Sequence, residues 1–177
     1  MKMKTTEQNG FTLLEIVVSL AVITIMSVVV GRGLVEMVSG YIFAKKNAMI
    51  AQQGQIAMTR LKKEFSNIKS VNSATATSIT FVRNANPPDP SLHTISWAGG
   101  SNPLLCDNSD TLIGNVTGPI LVTSFNLNYY DYYGSSASPS YSASTSIIEI
   151  TLQLSGGAAN TTTNLTDRVN LWLATGA

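Results

Sequence analysis

From Phe11 to Val30 the chain is almost continuously apolar, broken only by Thr12, Glu15, Ser19, Thr24 and Ser27. As a helix this stretch is about 30 Å long, enough to cross the hydrocarbon core of a bilayer. No proline precedes Pro87, so the strongest helix breaker is missing. The pattern predicts one helix from Phe11 to about Ser70. Past Val30 the apolar positions become periodic. Val38, Ile42, Met49 and Ile56 recur at intervals of four and seven, and Ala57, Leu61, Phe65 and Ile68 form a second stripe. The second stripe is rotated by roughly a third of a turn from the first. The apolar face therefore switches near Gly54, as it would if the upper stripe covered the chain's own globular part and the lower part packed on other chains. A kink at Gly54 is the alternative, since glycine costs about 1 kcal/mol inside a helix.

Beyond Ser70 the period drops to two and the runs shorten, separated by Gly, Pro, Ser and Asn. Segments 78–83, 94–98, 104–107 and 111–113 read as strands. Three others alternate more strictly: Phe125, Leu127 and Tyr129; Ile148, Ile150, Leu152 and Leu154; and Val169, Leu171 and Leu173. Each offers one apolar face, which predicts an antiparallel sheet covered on one side by the stripe from Ala57 to Ile68. Segments 132–145 and 156–164, rich in Ser, Tyr, Gly, Thr and Asn, read as exposed loops.

Glu15 is the residue the apolar pattern does not explain. A carboxylate in a membrane span costs about 2–3 kcal/mol, somewhat less one turn from its end, so it needs a partner. A leader with Lys2 and Lys4, then Gly10-Phe11-Thr12-Leu13-Leu14-Glu15 and an apolar run, resembles the processing site of type IV prepilins and type II secretion pseudopilins. The resemblance implies that a prepilin peptidase cuts after Gly10, that Phe11 becomes an N-methylated amino terminus, and that Glu15 pairs with the Phe11 amine of a neighbouring subunit. A secretory signal peptide has a shorter apolar region and a small-x-small cleavage site. Gly31-Arg32-Gly33 could pass for that site, yet neither a signal peptide nor a plain signal anchor needs Glu15. Gly31, Gly33 and Gly40 fall where the helix would leave the membrane. They fit either partial melting of the helix or close packing of small residues against a neighbour.

The chain has 177 residues and a net charge of +1, room for one membrane helix and one compact domain. The charge is unevenly divided: nine basic and four acidic residues up to Lys69 give +5, and two basic and six acidic after it give −4. The carboxyl-terminal part therefore lacks the basic surface of a nucleic-acid module. Lys2 and Lys4 favour a cytoplasmic leader and put everything after Val30 outside the cytoplasm, with Arg32 opposing that order. The single Cys106 forms no internal disulfide and reads as a small buried hydrophobe.

Candidates for chemistry are few. His93, the one histidine, lies near the Pro87-Pro88-Asp89-Pro90 turn and reads as a loop or strand-edge residue rather than a catalytic base. Asp107, Asn108 and Asp110 supply closely spaced oxygens, but the EF-hand pattern is missing; Asp107 and Asp110 are the residues a calcium site would use, and a turn is the expected role. No phosphate-binding loop is present, so any energy for assembly comes from another protein. Tyr129, Tyr130, Tyr132 and Tyr133 could stack on bases or sugars, with Tyr129 expected on the apolar face of its strand. Sequons at Asn115, Asn160 and Asn164 carry no weight in a chain that resembles a bacterial prepilin.

The expected protein is non-enzymatic and cofactor-free, with an α+β, type IV pilin-like fold. Residues 1–10 form the leader, 11–31 the transmembrane and filament-core helix, 32–70 its amphipathic continuation and 71–177 a β-rich head. The segments Val122–Asp131 and 51–68 are similar to parts of the minor-pilin branch, including the J-type component of type II secretion. The resemblance implies a minor subunit that acts in assembly or initiation of a type IV pilus or secretion pseudopilus. It further implies residence in the inner membrane with the head in the periplasm, then in the filament. The partners so implied are other pilin subunits, the prepilin peptidase, membrane lipid and, indirectly, a platform protein and an assembly ATPase. The rival is a filament-displayed subunit that binds DNA or mediates adhesion.

Overall fold

The computed structural model describes residues 10–84, 90–107, 109–114, 120–156 and 162–171. The leader before Gly10, the Pro87-Pro88-Asp89 turn, Asn108, the sequon residues Asn115 and Asn160, and Leu173 lie outside the described residues. The chain divides into two compact units, one ending at Ala44 and one starting at Lys45.

Helix α1 runs unbroken from Leu13 to Ser66. In the first unit all its residues are exposed, including Leu13, Val17, Ile25, Val29, Tyr41 and Phe43. The hydroxyls inside the apolar run bond their own helix. Ser19 Oγ donates to the Glu15 carbonyl at 2.7 Å, Thr24 Oγ1 to Leu20 at 2.8 Å and Ser27 Oγ to Ile23 at 2.8 Å. Those three hydroxyls are thus paired within the helix, as a segment in hydrocarbon would require, and the Glu15 carboxylate is the exception.

In the second unit α1 buries Ile50, Gly54, Ala57, Met58, Leu61 and Phe65, one helical face. At Gly54, where a kink was the alternative to a switch of face, α1 continues as helix and the glycine makes room for packing. A β-carbon there would lie 2.5 Å from Leu165 Cδ1 and 2.8 Å from Leu154 Cδ1, so glycine lets the helix backbone approach the sheet.

The helix ends earlier than expected. Asn67 N–H turns back to the Glu64 carbonyl at 3.2 Å, and the Asn67 carbonyl accepts the Asn84 N–H at 2.6 Å. Ile68 is buried, as its place in the stripe demanded, but it opens strand β1 (Ile68–Ala74) instead of closing the helix. The reason for the discrepancy is a pair of register shifts, between Ile68 and Ser70 and between Val71 and Ser73. These put Ile68, Val71 and Ala74 inward at a spacing of three, which mimics a helical period. Residues 68–70 therefore belong to the head and not to the helical continuation.

Two antiparallel sheets take the place of the single expected one. The first holds β1, β2 (Ser78–Arg83), β3 (Leu92–Trp97), β4 (Leu104–Cys106) and β5 (Asp110–Ile113) in chain order. The second holds β6 (Ile120–Tyr130), β7 (Ile147–Gly156) and β8 (Thr162–Asn170). The turn between β1 and β2 ties them: Leu127 N–H donates to the Ala76 carbonyl at 2.7 Å, and Tyr129 OH to the Thr75 carbonyl at 2.8 Å. β8 starts well before the alternation of Val169 and Leu171 suggested, so 162–164 are strand and not loop. Its inward positions include Thr163 and Asp167 beside Leu165 and Val169, which hides the apolar period. The segment 132–145 is the connection expected, mostly exposed but with Thr145 buried and Tyr141 half-buried, and pinned by the paired backbone bonds between Tyr129 and Ser138.

One core joins α1 to both sheets. Leu61, Phe65, Ile79, Phe81, Ile95, Leu127, Ile150 and Leu152 are fully buried. Phe65 meets Phe81 edge-on, centroids 6.2 Å apart, a favoured geometry for the ring quadrupoles.

Candidate processing and assembly site

The start of α1 is organised by Thr12. Its carbonyl accepts the N–H groups of Glu15 (3.1 Å) and Ile16 (3.3 Å), and its Oγ1 also accepts the Glu15 N–H at 3.3 Å. Thr12 is thus the N-cap and Glu15 the third helical residue, where a carboxylate sits favourably against the positive end of the helix dipole. Thr-x-x-Glu ahead of an apolar run is a helix-start signature, and Thr12 joins the expected site residues on that ground. Gly10 lies outside the helix and Phe11 is 79 % exposed, so the bond between them is accessible.

Glu15 is exposed on the helix. Among the described residues its carboxylate takes part in no ion pair. It stands between Leu14 and Ile16 on a helix with one membrane-length apolar span, whose best window has a mean hydropathy of 2.7. The arrangement offers a lone anion and nothing within the described chain to receive it.

The polar residues of the head are engaged in holding the fold. His93 is neither in a loop nor at the edge of its sheet. It lies inside β3, buried at 8 % exposure, with Nδ1 2.9 Å from Asp107 Oδ2. Asp107 has a positive φ of 54° and accepts the Thr94 N–H through Oδ1 at 2.8 Å. Partial burial raises its pKa, but the hydrogen bonds from His93 and Thr94 outweigh this and hold the carboxyl below the ordinary range. Asp110 pairs with Arg60 at 2.7 Å. Among the described residues no three His, Cys, Asp or Glu side chains gather into a metal-binding group.

Glu149 anchors a second network on β7. It accepts from Arg168 Nε at 2.7 Å, Tyr130 OH at 3.1 Å and Asn128 Nδ2 at 3.2 Å, while the Arg168 guanidinium lies 4.7 Å from the Tyr130 ring centroid. Burial works against ionisation of Glu149, and the three donors overcome it and lower its pKa. Lys62 reaches Asp167 at 2.9 Å and Glu64 reaches Arg83 at 2.7 Å, so α1 is tied to strands of both sheets. Burial pushes the Cys106 thiol up, assisted by Asp107 and Glu64, which leaves it a poor nucleophile. Tyr129 is buried and Tyr130 committed to Glu149, whereas Tyr132 and Tyr133 are 67 % and 86 % exposed.

Residues 6–31 match the prokaryotic N-terminal methylation motif. No curated protein and no solved structure matches the chain. The matched segment contains Gly10, Phe11, the Thr12 cap and Glu15, and ends one residue past Val30.

Proposed function

We propose that this chain, a prepilin of the type IV pilin and type II secretion pseudopilin family by its methylation motif, is a minor subunit that takes part in assembling or initiating such a filament. Members of that family are structural proteins and not enzymes. They are processed by a prepilin peptidase and assemble with other pilins. In this reading the peptidase cuts between Gly10 and Phe11 and methylates Phe11. The subunit waits in the inner membrane with its head in the periplasm, and packing of the apolar helices then draws it into the filament. A platform protein and an assembly ATPase supply the work indirectly.

Glu15 carries the reading. It is exposed, helix-capped and without a charge partner among the described residues, in a span that otherwise pairs its own polar groups. An amine freed at Phe11 of a neighbour supplies the missing cation. Replacing Glu15 with Leu removes the insertion penalty, so the variant should enter the membrane and be cleaved as before. It should then fail to enter sheared filaments. Normal incorporation with normal filament number would overturn the mechanism. Mass spectrometry should find an N-methylated Phe11 terminus, and a chain beginning near Arg32 would support a signal peptide instead.

The exposed Tyr132 and Tyr133 favour a second reading, a subunit that displays a binding surface on the filament. Capture of DNA by that surface would show an affinity falling steeply with salt. The head carries few of the Lys and Arg residues that such binding needs.

A further inference from the structure

Arg32 and Glu36 sit just past the apolar span, both exposed on α1, and neither takes part in an ion pair among the described residues. They are four residues apart, close enough to pair within one helix, but a basic residue placed before the acidic one is the poorer order for such a pair. Their spacing repeats that of Phe11 and Glu15. Arg32 lies 21 residues beyond Phe11, and Glu36 lies 21 residues beyond Glu15. Three heptads bring a side chain back to the same seam when parallel helices wind left-handed around each other.

We propose that Arg32 and Glu36 form a second registering ion pair between parallel helices of two copies of this chain, about 30 Å above the first. The inference rests on the pairing of Glu15 with a neighbour's Phe11 amine. That pairing sets one copy about 6 Å along the axis from the other, a stagger of four residues. The same stagger puts Glu36 of one copy opposite Arg32 of the next. Between the two charge pairs it brings Val22 against Val18 and Val29 against Ile25, all at least half exposed in the single chain. One row thus begins and ends on a cation, the facing row begins and ends on an anion, and the rungs between are β-branched and apolar. A shift by one residue in either direction would break both ion pairs at once. The occupant is a second copy because this helix itself carries both rows at the required offset.

The test uses the full chain in membranes of a strain that has its processing and assembly proteins. Two tagged copies carry Val29→Cys and Ile25→Cys, and oxidation traps the pair as a mixed disulfide. Arg32→Glu placed in both copies, or Glu36→Arg placed in both, sets like charges face to face and should lower the cross-link about threefold to fivefold. One copy with Arg32→Glu and the other with Glu36→Arg should restore it, although neither chain can then form a pair within its own helix. Equal cross-linking in every combination would sink the proposal, as would loss without recovery in the mixture. If the charge-reversed chains do not accumulate, Glu36→Gln decides: an unchanged yield overturns the pair and a reduced one supports it. Glu15→Leu run alongside separates the two readings. Loss there, with no effect of the Arg32 and Glu36 variants, removes the second pair alone. A cross-link that survives Glu15→Leu removes the register on which both rest.

Discussion

At Gly54 two leucine methyl groups occupy the space where a side chain would begin. Alanine there gains about 1 kcal/mol of helix propensity and must displace only the ends of flexible side chains, so Gly54→Ala should change head stability by less than about 1 kcal/mol. Gly54→Leu must displace the fully buried Leu154 as well as Leu165 and should cost about 3 kcal/mol, measured by denaturant titration. Asp107 is constrained differently. Its left-handed backbone suits Asp or Asn and penalises a β-branched residue. Asp107→Val, which also deletes both side-chain acceptors, should therefore destabilise the head by at least about 1–2 kcal/mol more than Asp107→Asn, which keeps one oxygen for Thr94 or His93. Equal losses for the two would show that the backbone conformation contributes nothing.

Among the elements, α1 carries the head through a narrow face. Leu61 and Phe65 are wholly buried in the core, and truncating either to alanine should cost about 2–5 kcal/mol in thermal or denaturant unfolding. The sequence disclosed this helix and its buried stripe because the apolar positions kept one period for several turns. Segment 78–83 was visible for the same reason at a period of two, and 104–107 and 111–113 as short apolar runs between turn residues. β1 was not, because its bulges changed two to three, and β8 was obscured where Thr163 and Asp167 took inward places. The two sheets are tied by the Ala76 to Leu127 bond, a contact between backbones that no side-chain pattern encodes. The site followed a similar rule. Gly10, Phe11 and Glu15 stood out as a local motif, whereas the partnership of His93 with Asp107 and that of Glu149 with Arg168 join residues distant in sequence.

For the molecule as a whole, the head should answer to acid. Asp107, Glu149 and Asp167 all titrate below the ordinary carboxylate range, Asp167 chiefly through its bond from Lys62. A depressed folded-state pKa adds stability that is present above the unfolded value, near 4, and is lost as pH falls through the folded value. The melting temperature of a soluble fragment beginning at Ile42 should hold level from these groups above about pH 5 and drop as the pH falls below about 4. Glu149→Gln should make the drop shallower, and an unchanged slope would exclude Glu149 from the effect. The fragment itself should unfold in one cooperative transition, since the second unit holds the buried core.

The bare apolar surface from Phe11 to Phe43 has a consequence for the filament proposed above. Each of its many exposed Leu, Ile, Val and Met side chains is worth about 1.5–3 kcal/mol when withdrawn from water, so the free subunit has lipid and other subunits as its solvents and water as neither. In that filament, subunits would then be exchanged only at the end rooted in the bilayer. Its distal end would shed nothing singly, a broken piece could not be reclaimed, and the age of each subunit would be written in its distance from the membrane.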